Sequence, residues 1–192
     1  MEIRIYFEGN KTLRTGFRQF FRGLEAAARQ ARSTIEFIAA KDGVSGYRKA
    51  IRSHPTSWNL LLKDSEQPMP LSPVQLCERL GIDSARVNDV FWMVELMESW
   101  FLADPEALAA YYGQGFSTSA IGATQDVEQI PKAEVLNRLR QAISNTKKRK
   151  YDKIGHAPHL LERLSAGRVK ERARHCRTLF ETISRRLERP AD

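Results

Sequence analysis

The sequence has few of the features that mark secreted or membrane proteins. Its 192 residues contain two cysteines, Cys77 and Cys176, which lie far apart and show no metal-ligand spacing. We therefore expect reduced thiols rather than a disulfide framework or a zinc site. No run of about 18 apolar residues occurs, so we expect no transmembrane helix and no membrane partner. The opening residues, MEIRIYFEGN, lack the apolar region of a signal peptide, which predicts a cytoplasmic protein.

Two common nucleotide-binding patterns are missing as well. The sequence contains neither a GxxxxGK loop followed by Ser or Thr nor a GxGxxG motif. Their absence argues against a phosphotransfer or nucleotide-hydrolysing enzyme that uses such a loop. What the sequence does contain is a globular composition, with 42% hydrophobic and 28% charged residues, which is enough apolar material for a real core.

Positive charge is concentrated in the C-terminal third of the sequence. After Pro131 there are 17 lysines and arginines against 7 aspartates and glutamates, a formal charge of +10, whereas the preceding part carries −2. Cationic side chains gain by displacing counterions from phosphates, so this pattern favours nucleic acid as a partner. A solvated basic surface on a helical tail is the alternative interpretation.

The first 66 residues alternate between strand and helix patterns. Strands are predicted at 3–9, 33–40 and 58–64, with a helix at 13–30 and a shorter one after Gly43. The unbroken apolar run of the third strand, WNLLLKD, is typical of a strand buried on both faces of a parallel sheet. The order β-α-β-α-β therefore predicts an α/β fold with a mostly parallel β-sheet flanked by helices.

The rest of the chain is predicted to be largely helical. A strand in VFWMVELM should run into a helix near Glu98, followed by a break at Ala103-Asp104-Pro105. We predict loops at 66–73, 113–124 and 146–158, a helix from Pro131 to Ser144, and one or two helices from Leu160 to Leu187. No internal repeat or clean linker divides the chain. We therefore predict one domain overall, with an α/β core at 1–130 and a basic helical part at 131–192 packed on it.

Acidic residues stand at the ends of two predicted strands. Glu8 closes the first strand, and Asp64 and Glu66 close the third. Residues i and i+2 of an extended segment point the same way, so Asp64 and Glu66 can face one point, and Glu8 joins them if strands one and three are neighbours. Carboxylates that close would repel unless a cation neutralised them, and all-oxygen ligands suit Mg²⁺ or Mn²⁺. Ordinary solvated loop acids are the alternative.

A strand ending in Glu-Gly, followed by a strand ending in Asp-x-Glu, resembles the Toprim domain of topoisomerases, primases and overcoming-lysogenization-defect nucleases. The chain more closely resembles a bacterial Toprim-like family of unknown function, often encoded beside an ATPase in defence or mobile loci. The matching stretches cover most of the chain: YFEGNKTLRTGFRQFF, LLLKDSE, MVELMESWFLADPEAL, YYGQGF and YDKIGHAPHLL.

The resemblance implies roles for three of the acids. It maps the catalytic glutamate of Toprim proteins, a general acid or base, onto Glu8, and their metal-binding pair onto Asp64 and Glu66. It also implies a partner ATPase that gates the activity. The sequence departs from the Toprim pattern where Glu66 replaces the commoner aspartate and where Asn10-Lys11-Thr12 lacks the further acid of some Toprim nucleases.

Other residues are candidates for the same site. Glu98 either adds a metal ligand or pairs with an arginine of the first helix. The cations and the histidine expected to bind phosphate or nucleic acid are Arg14, Arg18, Lys63, Lys132, Lys153 and His156. Lys63 could instead neutralise the acids, and His156 could be structural. The aromatic residues Phe91, Trp92, Trp100 and Phe101 are expected in the core rather than as base-stacking platforms.

Two functions remain open from the sequence. The first is a nuclease of Toprim type that uses Mg²⁺ or Mn²⁺ to cleave DNA or RNA phosphodiesters, as part of an ATPase-gated bacterial defence system. The second is a catalytically inactive nucleic-acid-binding or regulatory partner of an ATPase. A homo-oligomer is compatible with either function.

Overall fold

The fold, described by a computed structural model for residues 1–68, 72–123 and 125–188, is built on one parallel β-sheet. Its strands are β1 (Glu2–Glu8), β2 (Thr34–Ala40), β3 (Trp58–Asp64) and β4 (Val90–Met93). They lie in the order β2-β1-β3-β4, and each neighbouring pair is parallel. The predicted α/β fold with a parallel sheet flanked by helices is therefore confirmed, and strands one and three are neighbours as expected.

Helices connect the strands, and the C-terminal third of the described chain contains helices and loops but no strand. They are α1 (Thr12–Phe20), α2 (Arg22–Gln30), α3 (Gly43–Ser53), α4 (Pro73–Arg79), α5 (Ser99–Leu102), α6 (Pro105–Tyr112), α7 (Thr118–Ile121), α8 (Lys132–Ile143), α9 (Lys153–Arg163), α10 (Ala166–Arg172) and α11 (Arg174–Glu188). Two short 3-10 helices lie at Ser84–Asp89 and Val127–Gln129. Within these described ranges, no helix is long and apolar enough to cross a membrane.

Strand alternation sends the side chains of the sheet into two separate cores. Phe7 and Leu62 face the larger core, which also holds residues of α1, α2, α5 and the C-terminal helices, whereas Tyr6 and Leu61 face a smaller core under α3 and α4. Trp100 is fully buried in the larger core. Phe91, Phe101 and Trp92 are buried as well, so these aromatic side chains are core residues, as predicted.

The first helix is broken, contrary to the prediction of one helix over 13–30. Phe21 lies between α1 and α2 with φ −91° and ψ 12°, outside the helical range. Its ring is fully buried, with ring centres 5.2 Å from Phe37 and 4.9 Å from Phe180. The amphipathic pattern continues across the break, which is why the sequence alone does not reveal it.

Boundaries in the second half also differ from the predictions. Helix α9 begins at Lys153, inside the predicted basic loop, because the Asp152 carboxylate accepts from the backbone N–H groups of Ile154 and Gly155. Three helices rather than one or two close the chain, since Ala173 takes an extended conformation between α10 and α11. The predicted loop at 113–124 contains α7. The predicted loop at 66–73 ends where α4 begins, and its residues 69–71 lie outside the described residues.

Candidate functional site

The carboxyl ends of β3 and β4 bring two acids and a lysine together. Asp64 is the last residue of β3, and Glu98 follows β4 directly before α5. The Lys153 Nζ, at the first turn of α9, lies 3.6 Å from Asp64 Oδ2 and 3.6 Å from Glu98 Oε1. Asp64 Oδ2 and Glu98 Oε1 are therefore separated by no more than twice 3.6 Å. Parallel α/β sheets commonly bind ligands at this edge.

Each of these acids has one buried oxygen that lacks a protein partner. Asp64 Oδ1 and Glu98 Oε2 are both buried, and neither has a hydrogen bond of good geometry with a described residue, although the Met97 backbone N–H approaches the Asp64 carboxylate closely enough to oppose the rise in its pKa. Glu98 as a whole is only 2% exposed. A buried charged oxygen without a partner is costly, so such atoms usually mark a place for a water or an ion.

The donor set at this corner fits a divalent cation. Mg²⁺ is commonly bound through one or two carboxylates, with waters and phosphate oxygens completing its ligands. Asp64 and Glu98 supply two neighbouring carboxylates of that kind, each with an oxygen to spare. Lys153 supplies a single positive charge there, but neither of the two buried oxygens accepts a hydrogen bond from it.

The loop after β4 is held to the end of β3 by backbone contacts. The Ser65 backbone N–H donates to the Met93 carbonyl at 3.0 Å, and the Ser65 hydroxyl accepts from the Glu95 N–H at 2.8 Å. Glu95 is buried, and its carboxylate accepts from the Lys132 backbone N–H at 2.6 Å, at the start of α8. Glu95 therefore has a structural role, and the loop that it anchors delivers Glu98 to the site.

Glu98 is oriented by a residue that the sequence did not single out. The Tyr151 hydroxyl donates to Glu98 Oε1 at 2.9 Å. The sequence also offered an arginine of the first helix as a partner for Glu98. That contact does not form, and Glu98 instead contacts Lys153 and Tyr151. The only signal for Tyr151 was its position directly before the capping residue Asp152, and no spacing rule connects it to Glu98.

Burial changes the protonation of Asp64. Burial raises the pKa of Asp64 to about 7, with the negative charges of Glu98 and Glu66 adding to the rise and Lys153 opposing it. Burial opposes a rise in the pKa of Lys153, but the three carboxylates outweigh it and raise that pKa. A strongly shifted carboxyl pKa at a sheet edge is typical of functional sites.

Glu8 lies on the opposite face of the sheet from Asp64. Phe7 is in register with Leu62, so Glu8 lies beside Lys63, and successive residues of a strand point to opposite faces. The Glu8 carboxylate is half-exposed and accepts from Lys63 Nζ at 2.7 Å. Lys63 thus neutralises an acid, which was one of its two predicted roles.

Glu66 lies near enough to Asp64 for their charges to interact, but its carboxylate is paired elsewhere. The strand ends at Asp64, and Glu66 has φ +61°, so the prediction that Asp64 and Glu66 share an extended segment is wrong. The Glu66 carboxylate instead accepts from Lys132 Nζ at 2.5 Å. Among the described residues, no three histidines, cysteines or acids come close enough to hold a metal ion together. The structure therefore does not bring Glu8, Asp64 and Glu66 to one point.

Comparison with known proteins is consistent with this arrangement. A family model described as Domain of unknown function (DUF4276) matches residues 8–184. The chain belongs to this family. No curated protein matches it. Among solved structures, the C-terminal region of the Burkholderia pseudomallei OLD protein is similar, with a TM-score of 0.52 and 13% identity over 96% of this chain and 98% of that one.

The comparisons confirm part of the resemblance found in the sequence. Membership of a domain family of unknown function and a fold like that of an OLD protein region agree with the predicted Toprim-like family. At 13% identity the structural similarity shows the fold alone. The roles of the individual residues stay predictions.

The remaining predicted residues of this family member are Arg14, Arg18 and His156. Arg14 pairs with Glu36 at 3.7 Å and Arg18 with Glu25 at 3.1 Å, so both arginines contact acids on β2 and α2. The His156 Nδ1 accepts from the Asp152 N–H at 3.3 Å, and burial lowers the pKa of His156. A neutral His156 with one ring nitrogen engaged at the start of α9 fits the structural alternative.

Proposed function

We propose that this protein is a nuclease of Toprim type that cleaves DNA or RNA phosphodiesters with Mg²⁺ or Mn²⁺ as cofactor. The observation that carries the proposal is the pair of buried oxygens on Asp64 and Glu98 at the carboxyl edge of the parallel sheet. The fold shared with the C-terminal region of an OLD protein supports it.

The residues around the pair suggest their roles. Asp64 and Glu98 would hold the cation, and Glu66 could join them only if its side chain left Lys132. A divalent cation at such a site polarises the phosphodiester and activates the attacking water. Lys153, beside both carboxylates, would contact the scissile phosphate, and the basic helices after Pro131 would bind the backbone.

Glu8 remains the proposed residue for proton transfer. Its half-exposed carboxylate can accept or release a proton only after separating from Lys63, which holds it at 2.7 Å. A phosphate entering at this edge would compete for the Lys63 ammonium and so release Glu8. This step makes Lys63 a phosphate-binding residue as well as a partner of Glu8.

The biological setting is part of the same proposal. We infer that the protein acts in the cytoplasm with an ATPase subunit, in a bacterial defence system. This rests on the sequence resemblance to a family encoded beside ATPases. An ATPase that controls access to the site would protect the host's own nucleic acid from a nuclease.

A catalytically inactive, nucleic-acid-binding role is the second candidate. It is favoured by the pairing of Glu8 with Lys63 and of Glu66 with Lys132, since both acids are already neutralised. In that case the protein would serve as the regulatory partner of an ATPase, and the pair of Asp64 and Glu98 would be structural.

Cleavage assays separate the two candidates. Purified protein would be incubated with plasmid, single-stranded DNA and tRNA in Mg²⁺ or Mn²⁺, with and without a candidate ATPase. Cleavage that requires the cation and is lost in Asp64→Asn and Glu98→Gln supports the nuclease. Glu2→Gln, at the opposite end of β1 from Glu8, is the matched control because Glu2 pairs with Arg4 and the Ser57 hydroxyl rather than with residues of the site. Cleavage that persists in both site variants comes from a contaminant and contradicts the proposal.

A further inference from the structure

One face of helix α9 carries a row of lysine, histidine and arginine side chains. The row begins beside Asp64 and Glu98. Lys153, His156, His159 and Arg163 are spaced by three, three and four residues, which places them on one side of the helix. At 1.5 Å per residue the row is about 15 Å long. Lys153 contacts the acids at one end, so the row leads directly away from Asp64 and Glu98.

The far end of the row opens into a second basic region. Arg163 lines a cleft of about 540 Å³ between α1, α2 and α9, where Arg18, Arg22 and Arg163 outnumber the acids Glu25 and Glu162. Arg18 was predicted from the sequence to bind phosphate. Although Arg18 also pairs with Glu25, its side chain is 58% exposed, so it stays accessible to a ligand in the cleft.

Tyrosine rings of α6 pack along the middle of the row. The ring centre of Tyr111 lies 5.6 Å from that of His156 and 6.2 Å from that of His159, and the Tyr111 and His159 planes differ by 27°. Tyr111 is half-buried, whereas the His159 side chain is 56% exposed. The His159 ring therefore packs against the Tyr111 ring on one side and presents a flat face to solvent on the other.

Cations surround this aromatic surface. Lys148 Nζ lies 4.4 Å from the Tyr111 ring centre, and the Arg163 guanidinium carbon lies 5.3 Å from it. In the loop before α9, Lys147, Arg149 and Lys150 are exposed, and none of them pairs with a carboxylate in the described ranges. Two acids also lie near this surface: Glu162, 3.3 Å from the His159 Nδ1 and 3.9 Å from the Arg163 Nη1, and Asp152, whose charge acts on Tyr111 and His156.

We infer that the surface formed by Tyr111, Lys148, His159 and Arg163 binds single-stranded nucleic acid. A base would stack on His159, while Lys148 and Arg163 would bind the adjacent phosphates. Proteins that hold single strands combine aromatic stacking surfaces with a positively charged groove in this way. A base can reach His159 only when it is not stacked in a duplex, so the surface selects an unpaired strand. One part of the inference rests on the proposed function: the path of the bound strand along α9 to Asp64 and Glu98.

Binding without any cation tests the inference apart from catalysis. Fluorescence anisotropy with a labelled single-stranded oligonucleotide and with a blunt-ended, two-strand duplex that has no loop would be measured in EDTA at one fixed salt concentration. His159→Ala removes an exposed ring and should fold normally. We expect it to weaken single-strand binding by about 5- to 100-fold, the range that corresponds to loss of one base stack, and to change duplex binding by less than about twofold. Equal losses for both ligands, or no loss, would overturn the inference.

Two further variants separate stacking from folding and charge. Tyr111→Phe keeps the ring under His159 and should bind the single strand like the wild type, whereas Tyr111→Ala should weaken it. Thermal unfolding of each variant shows whether a loss of binding comes from a loss of structure. Single-strand binding in His159→Phe, which restores a flat ring, should return close to the wild-type level. Failure of that rescue in a folded protein would also contradict the inference.

The double variant Asp64→Asn/Glu98→Gln distinguishes this inference from the proposed function. It should bind the single strand in EDTA at least as tightly as the wild type does, because it keeps Tyr111, Lys148, His159 and Arg163 and removes negative charge beside Lys153. If wild-type protein shows the expected strand selectivity but no cleavage in Mn²⁺, the proposed function fails and the binding surface stands. If it cleaves but His159→Ala has no effect on binding, the binding surface alone fails.

Discussion

Two acidic corners at the same edge of the sheet contrast in how their charge is neutralised. Glu8 leaves the end of β1 toward one face, where its half-exposed carboxylate pairs with Lys63 at 2.7 Å. Asp64 and Glu98 lie on the other face, next to the large core, where one lysine serves two carboxylates at 3.6 Å. The first corner is a closed one-to-one ion pair near solvent. The second places two mostly buried carboxylates beside one lysine.

The difference shows why burial rather than acid count indicates a cation site. An exposed ion pair contributes less than about 1 kcal/mol, because water solvates both partners almost as well. Buried carboxylates lose that hydration, so their charge must be stabilised by hydrogen bonds or cations from the protein or from a ligand. The pKa of about 7 for Asp64 reflects this cost. The Glu8 corner is complete by itself, whereas the Asp64 corner leaves charge for a ligand to neutralise.

Catalysis should show the contrast most strongly. Asp64→Asn and Glu98→Gln should each lower metal-dependent cleavage by about a thousandfold, because each removes a ligand charge that the cation requires. Glu8→Gln should lower cleavage by about a hundredfold or more through lost proton transfer, without changing cation binding. Initial rates on one oligonucleotide, measured over a series of Mn²⁺ concentrations, separate the two effects. A Glu8→Gln defect that added Mn²⁺ restored would place Glu8 at the cation and contradict this assignment.

Cation binding itself should stabilise the fold through one corner only. At a Mn²⁺ concentration about 100 times the dissociation constant, binding adds about 2.7 kcal/mol to the unfolding free energy. For a chain of this size that corresponds to a rise of about 5–10 °C in the melting temperature. Scanning calorimetry with Mn²⁺ should show the rise for the wild type and for Glu8→Gln, but not for Asp64→Asn/Glu98→Gln. A rise that survives in the double variant would locate the cation elsewhere.

The sequence predicted the sheet better than it predicted the site. Alternating apolar patterns and the run WNLLLKD gave all of the first three strands within a residue or two, because burial on both faces constrains a parallel strand strongly. The acidic cluster depended on details beyond the strands. Glu66 missed its expected place because the strand ends at Asp64 and the next turn requires φ +61° at Glu66.

The acid that does reach Asp64 was harder to predict. Glu98 approaches Asp64 because the loop after β4 is anchored to the end of β3. Ser65 makes the anchoring hydrogen bonds with Met93 and Glu95, which lie about 30 positions further along the chain. Tyr151 lies just before α9 and Lys153 begins it, in a stretch that the sequence placed in a loop because the capping role of Asp152 is not evident from the pattern. Local patterns carry little information about such long-range contacts, and the site is built almost entirely from them.

The pH dependence of stability should differ between the metal-free wild type and Asp64→Asn. The folded-state pKa of Asp64, about 7, lies above its usual value of 3.8, so the folded protein binds this proton more tightly than the unfolded chain does. The resulting stability is fully present below about pH 4 and is lost as the pH rises through 7. Asp64→Asn cannot ionise, so it should be more stable than the wild type at pH 8, by on the order of 2 kcal/mol after allowance for the nearby Lys153. Urea unfolding in EDTA at pH 5 and pH 8 measures this, and a difference that does not grow with pH would contradict it.

The smallest effect is expected where the carboxylate of the ion pair is exposed, even though its lysine is mostly buried. Lys63→Met removes the partner of Glu8, whose carboxylate is half-exposed and can be solvated instead, so the unfolding free energy should change by no more than about 0.5 kcal/mol. Lys153→Met leaves Asp64 and Glu98 without their shared cation. Because Lys153 is itself about half-exposed, we expect a cost of about 1–2 kcal/mol, below that of a fully buried pair. Urea unfolding of both variants at pH 8 in EDTA, where Asp64 is largely ionised, gives the comparison directly. Equal costs would mean that the two corners are electrostatically alike, and the argument for a cation at Asp64 and Glu98 would lose its basis.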